Sequence, residues 1–219
     1  MVSLSISDAV SAVRAALDEL QPNESYMAGV QDKDNEDLDT IIRAKVVEAV
    51  ALVHSAANRA LVAADAPAVT PTATVTGKVL KVEIPQNMMR FIALKATDSP
   101  FVVTELIEEG TPDAIRQSDQ YACGTHQRPE AVLHRGSTVH SVWYYQLATE
   151  LGNGETAASR VERLSYLTYP VIESNSIQIC SQLRDAIISM LTGLVLTVYK
   201  DNAADAFYSQ AKLQMGIQG

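Results

Sequence analysis

One cysteine and three histidines of this 219-residue chain, Cys123, His126, His134 and His140, are the residue types that bind zinc. Structural zinc sites usually bring two closely spaced ligand pairs, often rich in cysteine. Here His134 and His140 are six residues apart, and we predict that they lie on opposite strands of a hairpin. Because this spacing departs from zinc-binding patterns, we expect turn residues and solvated histidines, with no metal and no other cofactor.

Residues 152–157, Gly-Asn-Gly-Glu-Thr-Ala, match the letters of a dinucleotide-binding fingerprint. That motif works only between a strand and a helix whose N-terminus holds the pyrophosphate. The residues from Arg160 onward alternate between apolar and polar, as in a strand, so the required helix is missing. We predict a loop tip at this position.

Two further patterns lack the partners that their chemistry requires. Ser209 and Lys212 have the spacing of certain acyl-serine enzymes, but the chain lacks their Ser-Asp-Asn and Lys-Thr-Gly motifs. Asp32, Asp34 and Glu36 resemble part of a calcium loop without its central glycine and final glutamate, and we expect them at a helix start. No catalytic residue emerges, so we predict that the protein is not an enzyme.

Composition restricts the remaining function classes. The formal charge of −9 argues against a protein that grips DNA, because phosphate binding needs clustered lysine and arginine. Two cysteines do not indicate a disulfide framework, and no signal peptide is visible. The apolar run at residues 186–199 is shorter than the roughly 20 residues that span a bilayer. We expect a soluble protein from a reducing compartment, with no membrane contact.

The same run, residues 186–199, is the stretch around which the chain is organised. It carries no charge, and its apolar residues form two helical stripes, one containing Ile187 and Met190, the other Ile188 and Leu191. A helix that is apolar on two stripes packs on two sides. A second helix follows a short break and ends at Gly216, a residue type favoured just after helix ends.

The rest of the chain divides by composition. We predict a helix from Ser7 or Asp8 that stops before Pro22, a polar loop at residues 23–31, and a long helix that starts at Asp34 or Asn35 and reaches residue 63. Strands are predicted at 80–84, 91–96, 101–106, 131–134, 138–145 and 161–169, with a helical turn at 112–116.

These elements predict an α+β protein in which N- and C-terminal helices form a helical bundle and a small antiparallel β subdomain is inserted. The predicted domains are residues 1–66 for the first bundle helices, 67–174 for the β-rich insert, and 175–219 for the helices that complete the bundle. The terminal helix, residues 202–215, has one large apolar anchor. We therefore predict that it binds a partner through Ala204, Phe207, Tyr208, Ala211 and Met215.

Several segments, at residues 16–24, 32–39, 85–91, 103–106, 121–125, 127–129 and 200–216, resemble head-to-tail connector (adaptor) proteins of tailed phages. The similarity is to connectors of Bacteroidales phages, including the ring proteins of crAss-like phages, and it extends to the order of helices, β insert and helices. It is a likeness of layout and short phrases along nearly the whole chain, with no catalytic motif.

The resemblance implies a homo-oligomeric ring, commonly of twelve subunits, between the portal and the tail. Such a ring extends the DNA channel without binding DNA specifically and is a platform for further connector or tail proteins. It implies a location in the neck or tail region of the virion after assembly in the host cytoplasm. The alternative is a non-viral helical binding or regulatory module with a β insert, and an enzyme with an unseen site is a third hypothesis.

Overall fold

A computed structural model of the chain describes residues 1–19, 32–119, 121–152 and 154–217. The contacts between residues divide the chain into two compact units. Unit 1 combines Met1–Asp65 with Tyr169–Gly219, and unit 2 is Ala66–Thr168. The polar loop predicted at residues 23–31 lies outside the described residues, as does Asn153 of the predicted loop tip.

Six α-helices are found in the described part of the chain: α1 (Ile6–Glu19), α2 (Asp32–Ala56), α3 (Arg59–Ala63), α4 (Pro112–Arg116), α5 (Arg184–Val198) and α6 (Ala204–Gln214). Only α4 belongs to unit 2, and it confirms the helical turn predicted at 112–116. Thr111 caps it with a side-chain oxygen that accepts the amide of Ala114, and proline occupies its first turn, where a missing N–H costs nothing.

The strands of unit 1 are β1 (Val2–Ser5), β9 (Ile172–Glu173) and β10 (Ser176–Ile179). Those of unit 2 are β2 (Ala73–Thr76), β3 (Val79–Ile84), β4 (Met88–Ala96), β5 (Ile107–Glu108), β6 (Glu130–His134), β7 (His140–Tyr145) and β8 (Val161–Thr168). They form three sheets, ordered β1-β10-β9, β2-β3-β7-β6-β5 and β4-β8. The hairpin predicted around residues 135–137 is confirmed as β6–β7.

The sheet of unit 1 joins the two ends of the chain. Strand β1 pairs antiparallel with β10, so that Leu4 lies opposite Ile177 and Val2 opposite Ile179. Leu4, Ile177 and Ile179 are buried, whereas the alternate residues Ser3 and Gln178 are exposed. The sheet therefore has one core face and one polar face, as alternation predicts for a half-buried sheet.

Helix α5 is the most buried helix of unit 1 and contacts α1, α2 and α6. Nine of its fifteen residues are buried, which confirms that its apolar stripes pack on more than one side. Two hydrogen bonds fix the surrounding segments. The Cys180 amide donates to Nε2 of buried His54 on α2 at 3.2 Å, and the Asn58 amide donates to the Met215 carbonyl at the end of α6 at 2.8 Å.

Asp65 connects two segments of unit 1 that are distant in sequence. Its Oδ2 accepts hydrogen bonds from the Ser181 hydroxyl and the Ser181 amide, both at 2.5 Å. The bond from the hydroxyl, and after it the bond from the amide, lowers the pKa of the Asp65 carboxyl below its ordinary value. The Asp65 carboxylate thus connects the segment that follows α3 to the residues that precede α5.

We expect Asp65→Asn to lower the free energy of unfolding by about 1 kcal/mol at neutral pH, since solvent weakens a charge-assisted bond at a partly exposed site. A depressed folded-state pKa means that this contribution is present above the unfolded-state pKa, near pH ~4, and is lost as the pH falls through the folded-state pKa. Chemical denaturation from about pH 7 to about pH 3 measures the difference in the free energy of unfolding between wild type and variant. A difference that does not become smaller below about pH 4 would contradict this role of Asp65.

Both sheets of unit 2 contribute to one hydrophobic core. The inner residues of the five-stranded sheet include Leu80, Val82 and Tyr144, and they cluster with Leu94 of β4 and Leu164 of β8. Strand β4 pairs with β8 through a register that shifts at three places, which bends this two-stranded ribbon.

The predicted architecture of a helical bundle with a small antiparallel insert is wrong. The terminal helices pack with a three-stranded sheet, so unit 1 is not a bundle of helices alone. The β-rich part is not a small antiparallel insert either, because unit 2 holds seven strands in two sheets and its β5 and β6 run parallel. The whole is an α+β protein with a strand-rich core.

The strand predicted at residues 101–106 is also wrong. Only Val103 there makes a bridge, with antiparallel hydrogen bonds to Leu94, while its neighbours Phe101 and Val102 are exposed. The apolar residues that favoured a strand therefore lie in an irregular segment that touches β4 at one point.

Candidate functional site

Helices α1, α5 and α6 of unit 1 border a groove with a volume of about 580 Å³. This volume falls within the range of about 300–1,000 Å³ that ligand pockets occupy. The residues that line the groove are Ala12, Ala16, Arg184, Asp185, Ile188, Ser189, Thr192, Phe207, Gln210 and Gln214. The groove is a concave surface on which a partner could bind.

The space exists because α1 contributes only small side chains to this wall. Ala12 and Ala16 are four residues apart, so they lie on the same face of the helix. Phe207 of α6 also borders the groove and is half-buried. The sequence did not predict the part played by α1, because two alanines at this spacing do not distinguish a packed helix face from an open one.

The buried hydroxyls of the groove already have hydrogen-bond partners within unit 1. Ser189 donates to the side-chain oxygen of Gln214 at 3.0 Å, and Thr192 donates to the backbone carbonyl of Ile188 at 2.9 Å. A ligand therefore need not satisfy them, since a buried polar group that is already paired costs nothing further. Recognition falls to the apolar side chains that line the groove, such as Ile188 and Phe207, and to the exposed amide of Gln210.

One end of the groove carries opposite charges. Arg184 and Asp185 are adjacent at the start of α5, and both are exposed. Their charges offset each other at long range, so the groove has no cationic surplus that would select a phosphate. The combination of apolar walls, amides and balanced charges fits a peptide segment of mixed polarity.

The five predicted interface residues all lie on or next to α6, but unit 1 uses them in different ways. Ala204, Ala211 and Met215 are buried within the unit. Phe207 and Tyr208 are half-buried, and of the five only Phe207 lines the groove. That these residues bind a partner stays a prediction. Of the five, only the two aromatic side chains are accessible enough to do so.

Tyr208 fixes α6 on α5. Its hydroxyl lies 2.7 Å from the Thr197 hydroxyl, and its ring occupies the space above Gly193. A β-carbon at Gly193 would lie 2.7 Å from Cε1 of this ring, so glycine is required for the close approach of the two helices. The chain turns between them at Lys200, whose φ is 57°.

The cysteine and histidines with zinc-like spacing have separate surroundings in unit 2. Cys123 accepts a hydrogen bond from Gln146, His126 is exposed, and Nδ1 of His134 lies 3.0 Å from a carboxylate oxygen of Glu109. His140 is on β7, opposite Ile84 of β3. Within the described residues, no group of three His, Cys, Asp or Glu side chains is arranged to hold a metal ion.

The described residues of the stretch 152–157 do not lie between a strand and an α-helix; they lead into a short 3-10 helix, Ala157–Arg160, and then β8. Arg160 organises this loop. It donates to the Thr149 hydroxyl at 3.0 Å, the Glu150 carbonyl at 2.9 Å and the Glu155 carboxylate at 2.6 Å. The bond from the Gly152 amide, followed by that from Arg160, lowers the pKa of Glu155.

The other two patterns are part of helices. Ser209 and Lys212 are exposed on α6, and the Ser209 hydroxyl donates to the backbone carbonyl of Asp205 at 2.8 Å. Asp32 is the first residue of α2. The side chains of the three acidic residues at this helix start lie outside what the structure describes.

An aromatic strip on the outer face of the five-stranded sheet was not predicted. Lys81 Nζ lies 3.9 Å from the ring centroid of Trp143, and the His134 ring lies 4.1 Å from the same ring. The hydrogen bond from His134 lowers the pKa of Glu109 at the end of this strip. Cation–π and cross-strand contacts of this kind stabilise a sheet surface. The signal in the sequence is Lys81, which alternates with buried Leu80 and Val82.

Comparison with protein-family models and with curated proteins found no match for this chain. Among the described residues, no helix is both long enough and apolar enough to cross a membrane.

Proposed function

We propose that this protein is a structural component of a phage virion, a connector that forms a homo-oligomeric ring between the portal and the tail. The observation that carries the proposal is the position of the connector-like segment at residues 200–216. This segment contains α6, and α6 supplies one wall of the groove on unit 1. The segment that resembles connectors is therefore also the segment that supplies one wall of this groove.

The chemistry of the groove supports a protein partner. Its residues are apolar or neutral except for the adjacent pair Arg184 and Asp185, and its volume suits the apolar side chains of an inserted segment. Peptides that enter such grooves do so with a few apolar anchors on one face of a helix or turn. We propose an exposed segment of the portal as the occupant.

The overall charge is compatible with a channel through which DNA passes. The chain carries 26 acidic and 17 basic residues. A protein that neutralises phosphates with clustered cations binds DNA tightly at low salt, and this balance favours the opposite behaviour. DNA would pass through the ring without being held, and the ring would be a platform for further connector or tail proteins.

We expect Phe207→Ala to weaken binding to purified portal at least tenfold, about 1.4 kcal/mol, because the ring borders the groove. The loss of stability should remain below the roughly 3–5 kcal/mol of a fully buried phenylalanine, since Phe207 is half-buried. Co-sedimentation with portal measures the first effect, and chemical denaturation the second.

Two matched variants make this test specific. Ala16→Leu fills the groove from α1 and should weaken portal binding without removing any contact of α6. Leu213→Ala changes a side chain of α6 that is 74% exposed, and it should leave binding unchanged. If Phe207→Ala and Ala16→Leu both bind portal like wild type, the groove does not receive the portal. Wild-type protein that fails to bind portal in any assembly state would count against the connector proposal itself.

A further inference from the structure

Among the buried polar atoms of unit 2 that have no hydrogen-bond partner in the described part of the chain, three belong to neighbouring side chains. They are Oδ1 of Asp98, the hydroxyl oxygen of Tyr144 and Nε of Arg160. Buried polar atoms in native proteins are nearly always paired with protein groups or with ordered water, because an unpaired one costs free energy. These three atoms are therefore candidates for one shared partner.

The three side chains meet where β4 ends and β8 begins. Asp98 follows the end of β4, and Arg160 directly precedes β8, which pairs with β4. Nη1 of Arg160 lies 4.0 Å from Oδ2 of Asp98. Burial raises the pKa of the Tyr144 hydroxyl, Ser99 lowers it, and the Asp98 carboxylate raises it further. The Tyr144 hydroxyl therefore lies close to Asp98 and to its chain neighbour Ser99.

Other hydrogen bonds hold the Asp98 and Arg160 side chains in place. Oδ2 of Asp98 accepts the amides of Ala148 at 2.6 Å and Thr149 at 3.4 Å. Nη1 and Nη2 of Arg160 donate to the Thr149 hydroxyl and the Glu155 carboxylate. Because turning either side chain to pair its remaining atom would break these bonds, the partner of Oδ1 and Nε has to be a separate molecule.

We propose that one buried water molecule joins the three atoms: it accepts hydrogen bonds from Nε of Arg160 and the Tyr144 hydroxyl and donates one to Oδ1 of Asp98. The separation of Arg160 from Asp98 is too long for a direct hydrogen bond, and polar contacts of this length are commonly bridged by water. Buried waters make about three hydrogen bonds to otherwise unpaired groups, which matches the number of atoms at this site. The water connects the loop that Arg160 organises to the core of unit 2, and the inference is independent of the proposed connector function.

The charges around the site favour a neutral occupant. The Arg160 guanidinium repels a cation, and the Asp98 carboxylate repels an anion. The occupant also has to accept hydrogen bonds from Nε and donate one to a carboxylate oxygen, because a guanidinium only donates and a carboxylate only accepts. Water is the smallest molecule that meets these requirements, and both charged side chains are largely buried.

Tyr144→Phe removes the hydroxyl and keeps the ring, so its effect on stability has opposite signs for a hydrated and a dry site. We expect this variant to raise the equilibrium constant of unfolding about fivefold, because the water loses one hydrogen bond. A dry, unpaired hydroxyl would give a more stable variant, since an unsatisfied buried group is removed. Chemical denaturation measures the change.

Tyr145→Phe is the matched control. Tyr145 is the next residue of β7, so its side chain points to the other face of the sheet, where it is half-buried. Loss of its hydroxyl should change the equilibrium constant of unfolding by less than about twofold, as for most substitutions away from a buried network.

A high-resolution crystal structure of the whole wild-type chain tests the site directly and decides the question even if the variant does not fold. We expect one water within about 3.2 Å of all three atoms. Three results would overturn the inference: no water in contact with all three atoms, a Tyr144→Phe variant at least as stable as wild type, or an effect of Tyr144→Phe that disappears in a Ser99→Ala background. The last result would assign the Tyr144 hydroxyl to a direct bond with Ser99.

Discussion

Gly193→Leu is expected to lower the free energy of unfolding by about 3 kcal/mol, the upper part of the usual range for overpacking. A β-carbon at this position would lie 2.7 Å from Cε1 and 2.9 Å from Cδ1 of Tyr208, so the ring has to move. A moved ring loses its contact with the Thr197 hydroxyl and separates α6 from α5. Chemical denaturation of the variant beside wild type measures the loss.

The Tyr208→Ala background is the matched control for this prediction. Removal of the ring opens the space above Gly193, so the cost of Gly193→Leu should shrink in that background, as a double-mutant cycle reveals for residues in contact. Gly193→Ala should cost less than Gly193→Leu, since alanine is favoured over glycine in helices by about 1 kcal/mol. If Gly193→Leu costs the same with and without the Tyr208 ring, the packing account given for α5 and α6 is wrong.

Arg160→Ala is expected to destabilise unit 2 by about 3 kcal/mol, as removal of one partner from a buried ionic cluster does. The Arg160 side chain is 12% exposed and lies 4.0 Å from Asp98, whose side chain is 13% exposed. The variant leaves the Asp98 carboxylate without this cation and frees Glu155 and the Glu150 carbonyl from their shared donor. Chemical denaturation followed by tryptophan fluorescence reports on unit 2, because Trp143 belongs to it.

Arg163→Ala is the comparison variant, because it removes an exposed arginine from the adjoining strand β8. We expect Arg163→Ala to change the free energy of unfolding by no more than about 0.5 kcal/mol, as for most surface substitutions. Arg160→Lys keeps the charge but not the planar group that reaches several acceptors, so its stability should fall between wild type and Arg160→Ala. Equal stability of Arg160→Ala and Arg163→Ala would show that the loop does not depend on the cluster.

Local patterns predicted the elements whose signal is contained in a single segment. Helix α5 was predicted from an uncharged run with apolar residues at helical spacing. The β6–β7 hairpin was predicted from the alternation of apolar and polar residues on both sides of Arg135 and Ser137. The end of α6 followed from Gly216, whose φ of 71° is the left-handed conformation that glycine adopts readily. In each case the residues that specify the element lie within it or directly beside it.

Elements that depend on distant partners were missed. Strand β1 is four residues long and leads directly into α1, so nothing in Val-Ser-Leu-Ser distinguishes it from the start of a helix. Its strand conformation depends on β10, which lies far along the chain. The parallel pairing of β5 with β6 is equally invisible, because a two-residue strand carries no periodicity. These omissions produced the wrong prediction of a helical bundle.

The candidate groove was likewise predicted only in the part whose signal lies within one segment. Phe207 was chosen from the sequence because it is the one large apolar anchor of its helix, and it does border the groove. The opposite wall depends on Ala12 and Ala16, whose significance appears only when α1 lies across from α6. Small residues carry little local signal, since alanine suits a packed helix and an open one equally well.

The pairing of β1 with β10 has a consequence for the order in which the molecule is completed during synthesis. Unit 2 is one continuous segment, so all of its strands have been translated once Thr168 leaves the ribosome. Unit 1 begins first but is completed only when β10, which pairs with β1, and α5, which contacts α1, have been made after unit 2. Domains fold as units while the chain emerges, and distant contacts form late because closing a long loop is costly. The nascent β1 and α1 thus have no β10 or α5 to pack on until all of unit 2 has been translated, whereas α1 and α2 are already available to each other.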